Sequence, residues 1–486
     1  MLLPAFESIR SAVVSRFGRW VREDVEGMEL PDLQTAEEQV AGFVRELGLA
    51  MLQRFVEARY WQATASRPRC ACGRQEELHR GTPWIRQGPL GPVTVRDVYA
   101  YCRTCKTGSR PLHAWLGTDR EPWSLSVQEA AVDLASDESC QKAVKKLERH
   151  HPGVKMGRTT ALRQLHGHGA KARQFIDVKL ERAPSSASPE GQPRAVVPEL
   201  EVEFDAGMIP VATLEPLVLD GRESQSALTP VRKLLKRHKV CRWEEVKAGL
   251  VQQPGEPDRL YSVRPTTALD ESFEDLLRLA RLKGWTEQTQ VRGLADGARH
   301  IRPRMEETFQ ACVFRFILDR PHCKEHLSTV GEALHALTGL PAQVWARQAL
   351  TRMEAGQAEQ VVAELKAAHV ATGNETLRLE AAYFERNQDA VAYAEYRERG
   401  WSTASSEIES AHTHVVQARL KISGAWWHPD TVDDVLALRM LKANGWWDEY
   451  WAQQRAAWSA RAATFIATRP NEAARRQTRQ PAQAAS

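Results

Sequence analysis

Two close cysteine pairs restrict the fold of this chain more than any other feature. "CACG" supplies Cys70 and Cys72, "CRTC" supplies Cys102 and Cys105, and the β-rich "GPVTVRDVYAYC" runs into the second pair. Two tight turns that each present two sulfurs can close on one ion, so the pattern predicts a structural Zn2+ knuckle. The single residue inside the first pair makes that turn tighter than the usual knuckle. Four protein ligands leave no open coordination position, so the ion would serve folding and not catalysis. Cys140, Cys241, Cys312 and Cys323 are scattered. One metal site in a reducing cytoplasm suits this usage better than a disulfide framework.

The length, 486 residues, allows about three domains. Hydrophobic residues make up 42%, enough for buried cores, and the net charge of +4 is too small to demand an acidic partner. Any nucleic-acid reading must therefore rest on local patches. No apolar run reaches the roughly 18 residues of a membrane span. The start, "MLLPAFESIRSAVVSRFGRW", reads as an amphipathic helix and not as a signal peptide.

The expected organisation is multidomain α+β. Residues 1–66 carry apolar residues at three- and four-residue spacing and form a helical region. Residues 67–120 are the cysteine-rich zinc-binding region. Residues 121–182 return to helix, with a basic second half compatible with a helix-turn-helix-like module. Residues 183–198, rich in Pro, Ser and Ala, form a linker. From 199 to 329 strand-like segments follow: "ELEVEFDAGMIPVATL", "VCRWEEVKAGLVQQ", "DRLYSVRP", "TQVRGLADGARHI" and "ACVFRFILDRPHC". Residues 330–400 are almost all helical, 401–455 form a second helical block, and 456–486 read as a disordered basic tail.

Three carboxylates stand out. Asp205 lies mid-way along the first strand after the linker, Asp296 closes the fourth strand-like segment, and Glu409 sits in a late helix. Converging on one sheet edge, they would hold two Mg2+ or Mn2+ ions, which clamp the attacking and leaving oxygens of an in-line phosphoryl transfer. Taken singly, each reads as an ordinary solvated acid. Asp319 and His322 in "LDRPHC" could orient a phosphate or a metal-bound water, or form a strand-end turn with a satisfied histidine. Near the end, Arg419, Lys421 and Arg439 offer phosphate contacts, and Trp426, Trp427, Trp446 and Trp447 read as core with one available for base stacking.

These blocks resemble the DDE transposases of bacterial insertion sequences, in particular the ISKra-type group, itself related to Mutator-like transposases. The similarity runs from about residue 68 to 452. "GPLGPVTVRDVYAYCRTCKTGSRPLHAWLG" is similar to the family's cysteine-rich segment. "EFDAGMIPV" and "GLADGARHI" resemble the blocks of the first and second catalytic Asp, here Asp205 and Asp296. "ILDRPHCKEHL" resembles the signature that follows, giving Asp319 and His322. The C-terminal block places the catalytic Glu at Glu409, where "ASSEIES" replaces the family's glycine-rich approach. Glu407, two residues earlier, would point about 200° away on the same helix.

The resemblance implies an RNase H-like α/β catalytic core (199–329 and 401–455) interrupted by an all-helical insertion (330–400), with helical and zinc-knuckle-like DNA-binding modules before it. It implies Asp205, Asp296 and Glu409 as ligands of two Mg2+ (or Mn2+) ions that cut an element end to a 3′-hydroxyl and join it to target DNA. Asp319 and His322 would contact a base or phosphate near the site. Terminal inverted repeats would be bound through Arg103, Lys106, Arg110, Lys142, Lys145, Lys146 and Arg158, with Arg419 and Lys421 near the core. Partners would be double-stranded DNA and a second copy of the chain at synapsis, with no membrane, in the bacterial cytoplasm at the nucleoid. The competing readings are an inactive or domesticated zinc-knuckle DNA-binding protein and an RNase H-fold nuclease without strand transfer.

Overall fold

A computed structural model describes residues 3–22, 26, 32–65, 68–116, 121–184, 197–216, 237–265 and 268–467. Most of the expected linker (185–196) and the last part of the expected tail (468–486) lie outside the described residues. The fold is mixed α+β and divides into two units, Met1–Leu165 with Asp448–Ser486, and His166–Trp447. Among the described residues no helix is long and apolar enough to cross a membrane.

The first unit opens with helices α1 (Leu3–Trp20) and α2 (Leu33–Ala65), joined by stacking of Trp20 on Phe43 at 4.6 Å. Strands β1 (Glu77–Arg80), β4 (Val98–Cys102) and β5 (Thr107–Ser109) form an antiparallel sheet, and β2 (Trp84–Gly88) and β3 (Gly91–Val95) a hairpin. The alternation in "GPVTV" buries Val93 and Val95 against Val56 of α2, while Tyr60 meets Val98 and Leu112 of α3 (Pro111–Leu116). Helices α4 (Leu125–Asp137) and α5 (Cys140–His150) are capped by Ser124 and Ser139, whose side chains accept from the Val127 and Lys142 amides. Only Glu138 and Ser139 separate them, and α6 (Arg158–Glu181) follows. The boundary between the units falls inside α6, so the segment expected as one module (121–182) is divided.

In the second unit the expected strands all form: β6 (Glu199–Pro216), β7 (Arg237–Gln252), β8 (Arg259–Pro265), β9 (Gln290–Ala295) and β10 (Phe314–Leu318). Helices α7 (Leu269–Leu282) and α8 (Ile301–Thr308) lie between them in sequence. The sheet order is β10-β9-β6-β7-β8, with β6, β7 and β8 antiparallel and β9 and β10 parallel to β6. The strict alternation of "LEVEF" turns Leu200, Val202 and Phe204 to one buried face, where Phe204 stacks on Phe273 of α7 at 4.5 Å.

The helical stretch is α9 (Arg320–Thr338), α10 (Ala342–Glu354), α11 (Ala358–Thr372), α12 (Glu375–Asn387), a 3-10 turn (Gln388–Ala390) and α13 (Tyr393–Glu398). It begins ten residues before the expected 330, because Asp319 caps α9 directly at the end of β10. Then come α14 (Ser406–Ala411), a π-helical turn (His412–Gln417), α15 (Ala418–Leu420) and α16 (Pro429–Ala443). The final helix, α17 (Trp447–Ala467), belongs almost wholly with the first unit. Residues 456–467, expected as disordered tail, are therefore helical, and the second unit closes at Trp447 and not at 455.

Asp275 of α7 is fully buried and accepts from Ser262 Oγ (2.9 Å) and Arg264 Nε (2.6 Å), while Arg264 also reaches Asp177 of α6 at 2.6 Å. Asp275→Ala leaves the buried Ser262 hydroxyl without its acceptor and removes the inner of the two carboxylates that hold Arg264. Its expected cost is about 3–5 kcal/mol, read as a lower urea midpoint, with a smaller loss for Asp275→Asn. An unchanged midpoint in the alanine variant would refute this role.

Candidate active site and metal centre

The four cysteines meet. Their sulfurs all lie within 4.8 Å of one another, with Cys72 Sγ and Cys102 Sγ 3.7 Å apart. Each pair sits on a turn that needs left-handed backbone: Gly73 has φ +82° and Lys106 φ +53°. The Arg74 amide donates to the Cys72 sulfur, which with the neighbouring thiols brings that thiol down to about 7. Hydrogen bonding with Cys72 first, and then Cys70, pushes Cys105 up to about 12. The opposite shifts of Cys72 and Cys105 are those of thiols crowded close together. Cys70 and Cys102 are buried and Cys72 and Cys105 partly so. The four can bind a structural metal such as zinc.

The carboxylates lie in the other unit. In the parallel ladder Glu203 pairs with Leu294, and Leu318 with Ala295. Extending that register sets Asp205, Asp296 and Asp319 abreast on β6, just past β9 and just past β10. These are the carboxyl ends of the two parallel strands, where open α/β sheets bind ligands. Gly297 (φ +73°) turns the chain away at once, and a Cβ there would stand 2.5 Å from Leu318 Cδ1. The helical stretch holds the turn: Tyr383 donates its hydroxyl to the Asp296 carbonyl at 2.6 Å, and the Ala298 amide donates to Asp296 Oδ1 at 2.9 Å.

Two further carboxylates fix the helix that bears Glu409. Asp319, fully buried, accepts from the Ser405 amide (2.6 Å) and hydroxyl (2.9 Å) and from His322 Nδ1 (2.6 Å). Glu203, also buried, accepts from the Ile408 amide at 2.7 Å. Both satisfy amides at the start of α14 that a helix leaves without partners. Glu407 turns toward β8 and pairs with Arg259 at 2.9 Å, whereas Glu409 is exposed. His412, three residues after Glu409 and about 60° round the helix, faces Asp205 with Nε2 3.6 Å from Oδ2. Glu409, not Glu407, therefore shares the helix side that looks on Asp205.

Charge is unevenly distributed here. Hydrogen bonding to Asp319, reinforced by Asp296 and Asp205, raises His322 to about 9, so it is an imidazolium at neutral pH. Burial alone would raise Asp319, but the bonds from His322 and Ser405 outweigh it and hold the carboxyl below its ordinary value. Burial lifts Asp205 against the pull of His412, and burial lowers His412 against the pull of Asp205. Glu203 is pushed up to about 8 by burial, with Glu201, Glu407 and Asp319 adding to it.

Among the described residues the cysteines are the only three or more His, Cys, Asp or Glu whose ligand atoms come within 4.8 Å. Asp205, Asp296 and Glu409 are not drawn that close. Asp319 is committed to His322 and to Ser405. Of the expected phosphate contacts, Lys106, Lys142, Lys145, Arg158 and Lys421 are exposed. Arg103 pairs with Glu77, Arg110 with buried Asp97, and Lys146 with Glu138. Arg419 is a correction: it is buried with its guanidinium 4.5 Å from the Trp427 ring, because that ring covers the start of the following loop. Arg439 donates to the Val415 carbonyl. Trp427 and Trp446 are core, and Trp426 is the most open of the four tryptophans.

Sequence reasoning passed over Glu203, Ser405 and His412. The three-residue step from Glu409 to His412 was the one visible signal for the histidine. No protein-family model matches this chain, and no curated protein does.

The Glu203 shift has a defined pH consequence. Below about 4.5 the group is protonated whether the chain is folded or not. Between 4.5 and about 8 only the unfolded chain ionises it, so folding loses stability as pH rises, and above 8 the loss is complete. Glu203→Gln keeps an acceptor for Ile408 and removes the charge. Its melting temperature should gain on the wild type by a few degrees between pH 5 and 8.5, and a gap that does not change with pH would contradict this.

Proposed function

We propose that this protein is a DNA transposase of an insertion sequence, with an RNase H-like catalytic core in the His166–Trp447 unit and a zinc knuckle in the other. One observation carries the reading: Asp205 and Asp296 stand on adjacent parallel strands, and a helix bearing Glu409 is pinned over the first of them. The strand order supports it too, since three antiparallel strands followed by two parallel to the first is the arrangement an RNase H-like core requires.

The residues fit a divalent-cation site in kind. Asp205 and Asp296 are hard oxygen donors side by side, Glu409 is exposed on the side of α14 facing Asp205, and His412 has two buried ring nitrogens without a well-formed hydrogen bond. When bound, such ions stabilise the charge of an in-line phosphoryl transfer. Asp205 and Asp296 would hold them, and Glu409 would complete the site from the helix. Asp319 and His322 act as positioning residues, fixing α14 through Ser405 and setting a positive charge beside the carboxylates. Exposed Lys142, Lys145 and Arg158 offer phosphate contacts for double-stranded DNA, and Lys421 does so beside Asp205's strand.

The test uses labelled duplexes carrying the DNA that flanks the gene, with Mg2+ or Mn2+. Full-length protein should nick the end to a 3′-hydroxyl and join it to a target, and Asp205→Asn or Asp296→Asn should lower both steps roughly 100-fold or more while leaving DNA binding intact. Cleavage without joining would indicate a nuclease, binding without cleavage a domesticated DNA-binding protein, and no binding would remove the reading.

Zinc is tested separately. Purified protein should carry one zinc per chain. Cys102→Ser should release it and unfold the surrounding sheet, since structural zinc contributes apparent binding energies of about 10–16 kcal/mol to folding in small domains. Metal-free protein with an unchanged melt would dismiss the knuckle.

A further inference from the structure

His412 is placed too carefully for a filler residue. It is 3% exposed, and neither ring nitrogen makes a well-formed hydrogen bond, its polar neighbours being the backbone and the carboxylate of Asp205. Buried imidazole nitrogens are ordinarily well bonded, so a ring this poorly satisfied has room for a further partner. The backbone of β6 makes room for the ring: a Cβ on Gly207 would stand 2.5 Å from Nδ1 and 2.8 Å from Cε1. The helix changes to π form at this residue, a widening that recurs where a side chain must be re-aimed at a functional site.

The distance to Asp205 is informative. At 3.6 Å, Nε2 and Oδ2 are too far apart for a hydrogen bond. Two donors each about 2.1 Å from a common ion stand about 3.0–3.5 Å apart, depending on the angle between them. The pair has nearly the spacing of one edge of a coordination sphere.

We propose that His412 is a nitrogen ligand of the divalent-cation site built on Asp205, and that it biases this site toward Mn2+ over Mg2+. The inference rests on the reading of Asp205 as a cation ligand. Its chemistry follows from ligand softness: imidazole suits transition metals, whereas Mg2+ prefers an all-oxygen shell. The family-like carboxylates alone would set no such preference.

The test reads metal binding and not turnover. Full-length, zinc-loaded protein is titrated with Mn2+ and with Mg2+ by calorimetry, and the Mn2+ form is examined for 14N modulation in its electron spin echo. The wild type should show imidazole modulation. His412→Phe, which fills the space without a donor, should lose the modulation and weaken Mn2+ roughly 10- to 100-fold, with a smaller effect on Mg2+. His322→Phe should keep the modulation. If Asp205→Asn abolishes Mn2+ binding and His412→Phe does not alter it, the ligand role is wrong while the cation site stands. If neither substitution changes Mn2+ binding, the cation reading of Asp205 fails and this inference with it. Should His412→Phe not fold, absence of 14N modulation in the wild type is enough to overturn the proposal.

Discussion

The arrangement of the second unit depends on two buried carboxylates that grip the start of one short helix. Asp319 leaves the end of β10 and takes both the amide and the hydroxyl of Ser405, and Glu203 rises from β6 to take the amide of Ile408. A six-residue helix has almost no stability of its own. What holds α14 is the pairing of its unpartnered amides with buried carboxyl acceptors in a low-dielectric interior, where such bonds are stronger and their loss costs more. Because the two acceptors come from strands two places apart in the sheet, the helix is fixed in height and rotation together. Glu409 and His412 inherit that precision.

The same grip explains the unusual ionisation here. Glu203 is lifted by burial and still accepts a hydrogen bond, and Asp319 is lowered because His322 and Ser405 donate to it. The two carboxylates therefore carry different charges at neutral pH while doing similar structural work. His322, raised by Asp319, then faces Asp296 and Asp205 as a cation. The aspartates thus have one fixed positive charge at their rim, which relieves the repulsion between them.

Much of this unit was legible in the sequence. The alternation of "ELEVEFDAG" and the Asp-Gly at 296–297 each carried the right element to the right place, since strand period and turn chemistry are local properties, whereas the capping role of Asp319 went unread. The burial of the polar face of β6 was not legible. Glu201 and Glu203 alternate with apolar residues as solvent-facing positions do, yet both are buried, because a helix two hundred residues later covers them. The serine at 405 looked like the loss of a glycine hinge. It became an anchor only when β10 brought Asp319 beside it. The last helix misled for a related reason: its Ala- and Arg-rich composition resembles a tail, and its contacts lie far back in the chain, as the ion pair of Arg455 with Glu129 shows.

His412 shows where such reading stops. Its role cannot come from residue type, because a histidine in "ESAHTHVV" has no periodic or motif signal beyond its step from Glu409. It comes from three facts that exist only in three dimensions: a glycine on the facing strand, a π turn that re-aims the ring, and a carboxylate left slightly too far for a hydrogen bond. A buried ring without a well-formed hydrogen bond, held 3.6 Å from the Asp205 carboxylate, is the geometry on which the proposed ligand role rests.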